Sequence, residues 1–155
     1  RKGRCMLVGQ KKLFHAMEAV LFIACYPHAN PVSSKEIAEH QNLPPRYLEQ
    51  IMQKLVKAKI LRGVRGPRGG YLLARDKRHI TLADLYHVIR EEELPVQPER
   101  GSLGEKVIAP LWRELHDASI ELFASVNLLE LCDRADKLDK DAECDDKKKN
   151  VDFTI

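Results

Sequence analysis

The sequence predicts a mainly α-helical fold with one small β-hairpin and a long C-terminal helix that keeps one face for a partner helix. Three observations predict it. Apolar residues recur at three- and four-residue steps through several segments bounded by helix start and stop signals. A lone glycine-rich stretch, residues 66–70, separates two short apolar runs. A late helical segment carries two apolar rows, more than a small domain can cover by itself.

The first helix is expected over about Lys11 to Cys25, with Leu13, Phe14, Met17, Val20, Leu21, Ala24 and Cys25 on its buried stripe. Tyr26-Pro27 ends it, because the residue before a proline is pushed out of helical geometry. Ser33 with Glu36 forms a capping box for a second helix reaching about Gln41, and Val32 and Ile37 have the spacing of a hydrophobic staple. After the turn Asn42-Leu43-Pro44, Pro45 opens a third helix to about Lys59. Its buried stripe is Leu48, Ile51, Met52, Leu55 and Val56, and its outward face is Arg46, Glu49, Gln50, Gln53, Lys54 and Lys57. Two short helices joined by a short turn make a helix-turn-helix.

Runs 60–65 and 71–75 flank the reversal Gly66-Pro67-Arg68-Gly69-Gly70 and read as the two strands of a wing. Thr81, three residues before Asp84, caps a fourth helix that buries Leu82, Leu85, Val88 and Ile89. The expected organisation is therefore a winged helix-turn-helix domain over 6–90, a linker over 91–104, dimerisation helices over 105–138 and a disordered tail over 139–155.

In the long segment, Leu103, Val107, Leu111, Leu115, Leu122 and Val126 form one row, and Ile108, Trp112, Ile120 and Phe123 a second. One face serves the domain and the other a partner helix; the candidate dimer interface, drawn from both rows, is Leu111, Trp112, Leu115, Ile120, Leu122 and Phe123. Pro110 implies a kink or a restart. Asn127 is a candidate cap for a last short helix ending near Lys137. The terminal Val151-Asp152-Phe153-Thr154-Ile155 is apolar for a tail, so docking on a neighbour is the alternative to disorder.

Composition limits the function classes. The chain has 155 residues, 44% hydrophobic and 32% charged, suited to one domain with an appendage. Its longest apolar run, Ala19 to Tyr26, is far short of the ~20 residues of a membrane span, and the basic start lacks the long apolar segment of a secretion signal. With Met6 as its start, the protein is expected in the cytoplasm, without membrane contact. No phosphate loop, H-E-x-x-H or G-x-S-x-G occurs, so no enzyme is expected.

Net charge is only +3, but it divides sharply. Residues 1–90 hold 17 Lys and Arg against 6 Asp and Glu, whereas residues 91–155 hold 9 against 17. From Lys57 to Arg78 there are eight basic residues and one acid, Asp76. A basic front of this kind suits a polyanion, and duplex DNA is the expected partner. On the third helix, Arg46, Gln50, Gln53 and Glu49 are placed for base readout with Lys54 beside them, and Tyr47, at the edge, touches the DNA backbone or packs under the helix. Ser34 and Lys35 start the second helix, where phosphate contact is favourable. In the wing, Arg62, Arg65 and Arg68 supply charge, and Gly66, Pro67, Gly69 and Gly70 allow close backbone approach to a phosphate ridge or narrow groove.

Four cysteines, at 5, 25, 132 and 144, form neither a C-x-x-C pair nor a cluster, so no disulfide framework, metal site or cofactor is expected. Cys25 and Cys132 read as core residues; acidic neighbours disfavour a thiolate at Cys144, and Arg4 favours one at Cys5. His15 and Glu18 share a helix face as a weak ligand pair.

The stretches RYLEQIMQKLVKAKIL (46–61), GVRGPRGGYLLAR (63–75) and ITLADL (80–85) resemble the Rrf-two (Rrf2) family of bacterial winged-helix regulators, over about residues 6–135. The resemblance implies a homodimer on a long C-terminal helix, a partly palindromic operator, the third helix in the major groove and the wing in the minor groove. It puts Arg46, Glu49 and Gln50 at the reading end and Arg65 in the wing, and it implies a repressor answering to a small-molecule or protein effector. Pro44-Pro45-Arg46 departs from the small or hydroxylated residues common before the Tyr. Iron–sulfur members carry three close cysteines between the fourth and long helices; here the stretch 91–110 has none. Alternatives are a redox or metal sensor of unusual Cys/His ligation and a module acting through a protein partner.

Overall fold

The computed structural model describes residues 10–25, 30–90 and 96–151, with side chains from 11 to 140 within those spans. The elements run α1 (Gln10–Cys25), α2 (Ser34–Gln41), α3 (Pro45–Lys57), β1 (Leu61–Val64), β2 (Gly70–Leu73), α4 (Leu82–Ile89), α5 (Ala109–Ser125) and α6 (Leu128–Val151). A 3₁₀ turn, Lys77–His79, precedes α4, and a wide π-type turn, Gly104–Ile108, leads into α5.

Local chemistry sets the boundaries. Ser33 accepts from the Glu36 N–H while Glu36 accepts from the Ser33 N–H, a complete capping box on α2. Thr81 and Asp84 do the same for α4, and the Asn127 side chain accepts from the Glu130 N–H to start α6. Two helices end on left-handed residues other than glycine, Asn42 (φ 52) and Lys59 (φ 58). In both, the next residue's N–H returns to a carbonyl in the last turn: Leu43 to Ala38 at 2.9 Å and Ile60 to Leu55 at 3.0 Å. This reversal ends α3 at Lys57, two residues before the periodicity suggested.

The core lies where α1, α3 and α4 meet. Ala16, Ala19 and Val20 of α1, Ile37 of α2, and Leu48, Ile51, Met52 and Leu55 of α3 are fully enclosed, with Leu85 and Ile89 of α4. The small Ala16 and Ala19 let neighbouring helices approach α1, which turns its buried face away from the expected stripe and leaves Phe14 exposed. Leu128 and Cys132 of α6 close the same core. The strands pair antiparallel, Leu61 opposite Leu73 through Val64 opposite Gly70, and Val32 adds a bridge to Tyr71.

Pro110 sits in the first turn of α5, the restart that the sequence allowed. The linker call is described only from Val96, and 96–99 is irregular. The last helix corrects the sequence reading: it continues to Val151 instead of ending near Lys137. Residues 152–155 lie outside the described residues. No helix among the described residues is long and apolar enough to cross a membrane.

Candidate nucleic-acid interface

α3 and the wing form one cationic surface. With its stripe locked in the core, α3 turns Arg46, Glu49, Gln50, Gln53, Lys54 and Lys57 to solvent. Pro45 opens the helix and no side chain caps it. The phenol of Tyr71 in β2 is raised above the ordinary 10.0 by burial first and by the Glu49 carboxylate of α3 second.

At the tip, Gly69 N–H bonds back to the Gly66 carbonyl at 2.9 Å, closing a turn with Pro67 and Arg68 at its centre. Arg62, Arg65 and Arg68 are exposed. Arg46, Lys54, Lys57, Lys59, Arg62, Arg65 and Arg68 have no ion-pair partner among the described residues. The one acid of the basic stretch is spent locally: Asp76 accepts from the Arg78 backbone at 2.8 Å and from its guanidinium at 3.0 Å. Those bonds hold the Asp76 carboxyl down at about 2. Arg75 lies 3.9 Å from Asp84. The cations left over face outward.

Several of the candidate residues also serve the fold, and for Tyr47 the packing alternative is the one seen. Tyr47 is half-buried, and its hydroxyl meets His15 Nδ1 at 3.1 Å, which ties α3 to α1 rather than reaching outward. That contact also engages His15; among the described residues no group of three or more His, Cys, Asp or Glu side chains is placed to hold a metal. The glycines divide. A Cβ on Gly69 would meet the Val64 carbonyl oxygen at 2.3 Å, and one on Gly70 would meet that of Val32 at 2.3 Å, so the fold itself demands both. Gly66, at φ +119, faces open space, as does Gly63 of β1. Of the α2 pair, Ser34 is half-buried and Lys35 is exposed, 3.9 Å from Glu39. Sequence reading also missed an open cleft of about 480 Å³ between the end of α3 and the wing base, lined by Val56, Lys59, Leu61, Arg62, Gly63, Ala74 and Arg75.

On α5, Leu111, Trp112, Leu115 and Leu122 are exposed, whereas Ile120 is half-buried. Phe123 is half-buried: its ring lies 5.6 Å from Tyr86 of α4 and packs against the chain's own core.

A model of the Rrf2 family, described as an iron-dependent transcriptional regulator, matches residues 10–134. The chain belongs to the Rrf2 family. It is 36% identical over 123 residues to the HTH-type regulator slr0846 of Synechocystis sp., covering 77% of this chain and 84% of that one. It is 32% identical over 141 residues to the HTH-type transcriptional regulator IscR of Photorhabdus laumondii, covering 88% and 86%. Among solved structures, CymR of B. subtilis, the global cysteine regulator, superposes with a TM-score of 0.69 at 29% identity, over 83% of this chain and 98% of that one. Rrf2 membership makes this a DNA-binding transcriptional regulator with a winged helix fold. The iron in the family's description does not fit the sulfur donors here. An iron–sulfur cluster takes four ligands, mostly thiolates. Residues 91–110 supply no cysteine, and Cys25 and Cys132, the two thiols among the described side chains, face each other across α1 and α6.

Proposed function

We propose that this Rrf2 regulator is a cytoplasmic homodimeric repressor that binds a two-fold symmetric operator. α3 enters the major groove and the wing tip the minor groove, and the bound dimer blocks transcription. The observation that carries this reading is the cationic surface of Arg46, Lys54, Lys57, Arg62, Arg65 and Arg68, which has no acid partner of its own among the described residues. Unpaired like charges on one face repel one another until a polyanion neutralises them. The exposed apolar row Leu111, Trp112, Leu115 and Leu122 supports pairing through α5, which sets the distance between two such surfaces. Arg46, Gln50 and Gln53 read base edges, with Glu49 beside the wing base; Lys54, Lys57, Arg62 and Lys35 take phosphates; Arg65 and Arg68 enter the narrow groove. A small-molecule or protein effector then acts by shifting the dimer between geometries that fit or miss the operator.

The test is a gel-shift titration on operator and random duplexes over a range of salt. If each protomer neutralises about four phosphates, log K falls against log salt with a slope of roughly −7. Arg65→Ala lowers affinity on both duplexes and makes the slope shallower. Gln50→Ala costs about 1–3 kcal/mol on the operator alone. A flat salt response, or equal losses for Gln50→Ala on both duplexes, overturns the reading.

A further inference from the structure

Cys25, the last residue of α1, and Cys132, in the second turn of α6, are 107 positions apart in the chain, yet their Sγ atoms lie 3.0 Å apart. Both are free thiols; Cys132 is buried and Cys25 half-buried. The surrounding chain holds them there. Leu128 N–H bonds to the Ile80 carbonyl at 2.9 Å, and Leu82 N–H to the Val126 carbonyl at 3.0 Å, which fastens the start of α6 to the segment before α4. Leu128 and Cys132 then pack into the core that α1 also fills.

We propose that Cys25 and Cys132 form a reversible dithiol–disulfide site for hydroperoxides, which fastens α6 covalently to α1. Cys25, the more exposed of the two, attacks the peroxide O–O bond as a thiolate; that bond breaks, an S–O bond forms, and the peroxide's other oxygen leaves as water or alcohol. The Cys132 sulfur then attacks the sulfenic sulfur of Cys25. An S–S bond forms, the S–O bond breaks, and the hydroxyl leaves with the Cys132 proton as water. Two thiols lose two electrons in total and one peroxide gains them. The sulfurs need to close by only about 1 Å to reach the length of a disulfide, within the reach of side-chain rotation. Burial first, and the hydrogen bond to Cys132 second, push Cys25 up to about 12, with Lys77 acting the other way. Burial thus favours the Cys25 thiol over its thiolate, while Lys77 favours the thiolate that attacks the peroxide. The helix-turn-helix, the wing and α5 all lie between the two linked positions, so oxidation fixes the dimerisation arm against the DNA-reading unit.

The experiment treats the full chain with hydrogen peroxide, blocks remaining thiols and maps peptides without reductant. The expected result is one species joining the Cys25 and Cys132 peptides, lighter by two hydrogens and separated again by dithiothreitol, with a melting temperature raised by several degrees. The Cys5→Ser/Cys144→Ser variant keeps this link, and Cys25→Ser and Cys132→Ser each lose it. Peroxide that leaves Cys25 and Cys132 unlinked, or links either to Cys5, to Cys144 or to a second chain, overturns the proposal. The readout is chemical and stands independently of DNA binding.

Discussion

α3 and α5 carry similar apolar patterns and opposite fates. On α3 the stripe Leu48, Ile51, Met52 and Leu55 is wholly enclosed, and the helix is held in one orientation by its own chain. On α5 no residue is buried; Trp112 is 68% exposed and Leu122 65%. Helical periodicity records that a face is to be covered, without recording by what. For α3 the cover is α1, α2 and α4, so its polar face is fixed outward as a reading surface. For α5, among the described residues, Tyr86 and its neighbours take up Phe123 and half-cover Ile120. In the proposed dimer this exposed row of large apolar side chains is the pairing face.

The sharpest way to break the comparison is to make the open row unpairable. Trp112→Asp with Leu115→Asp adds two charges to a face that is already solvated in the single chain, so the melting temperature of the α1–α4 unit stays close to that of the parent. The dimer is lost in sedimentation. Operator affinity falls by about 100-fold or more, because two linked reading surfaces become two independent ones. A double variant that stays dimeric, or binds the operator undiminished, shows that α5 is not the pairing face.

A smaller effect separates two wing glycines that sequence reading cannot tell apart from neighbours serving a ligand. Gly70 lies against the Val32 backbone, and the strands exchange Val32 N–H to Tyr71 O at 3.1 Å and Tyr71 N–H to Val32 O at 2.8 Å. Gly70→Ala forces them apart and costs roughly 2–3 kcal/mol in denaturant unfolding, from two weakened hydrogen bonds and the displaced backbone. Gly63→Ala, where a Cβ meets nothing within 4 Å, is expected to be near neutral. Equal costs at the two positions would remove the packing explanation for Gly70.

What the sequence displayed and what it concealed follow the same division. Capping boxes at Ser33 and Thr81 depend on partners three residues away, so the sequence displays them whole. The α3 stripe is legible because a strongly two-sided helix has one orientation that buries it. α1 is apolar over more of its surface, and its true face depends on Ala16 and Ala19 meeting other helices, which misplaced Phe14. The cationic surface was legible as a count of charges, but the use of Asp76 by Arg78 and of Tyr47 by His15 depends on where those side chains turn. The Cys25–Cys132 approach had no local signal: it depends on α6 folding back onto α1 across most of the chain.

The mildest test concerns the turn that ends α3. Lys59 holds a left-handed backbone (φ 58) so that Lys59 N–H reaches Val56 O and Ile60 N–H reaches Leu55 O, both at 3.0 Å. A side chain with a Cβ is penalised there and glycine is not. Lys59→Gly therefore stabilises the fold by about 0.5–1 kcal/mol, read as a higher denaturation midpoint at unchanged slope. Removing a cation from the basic stretch could raise stability by itself, and Lys59→Ala separates the two causes. Alanine relieves the repulsion but keeps the Cβ, so it is expected to gain little. If alanine stabilises as much as glycine, charge and not backbone geometry is the strain carried at the junction of α3 and the wing.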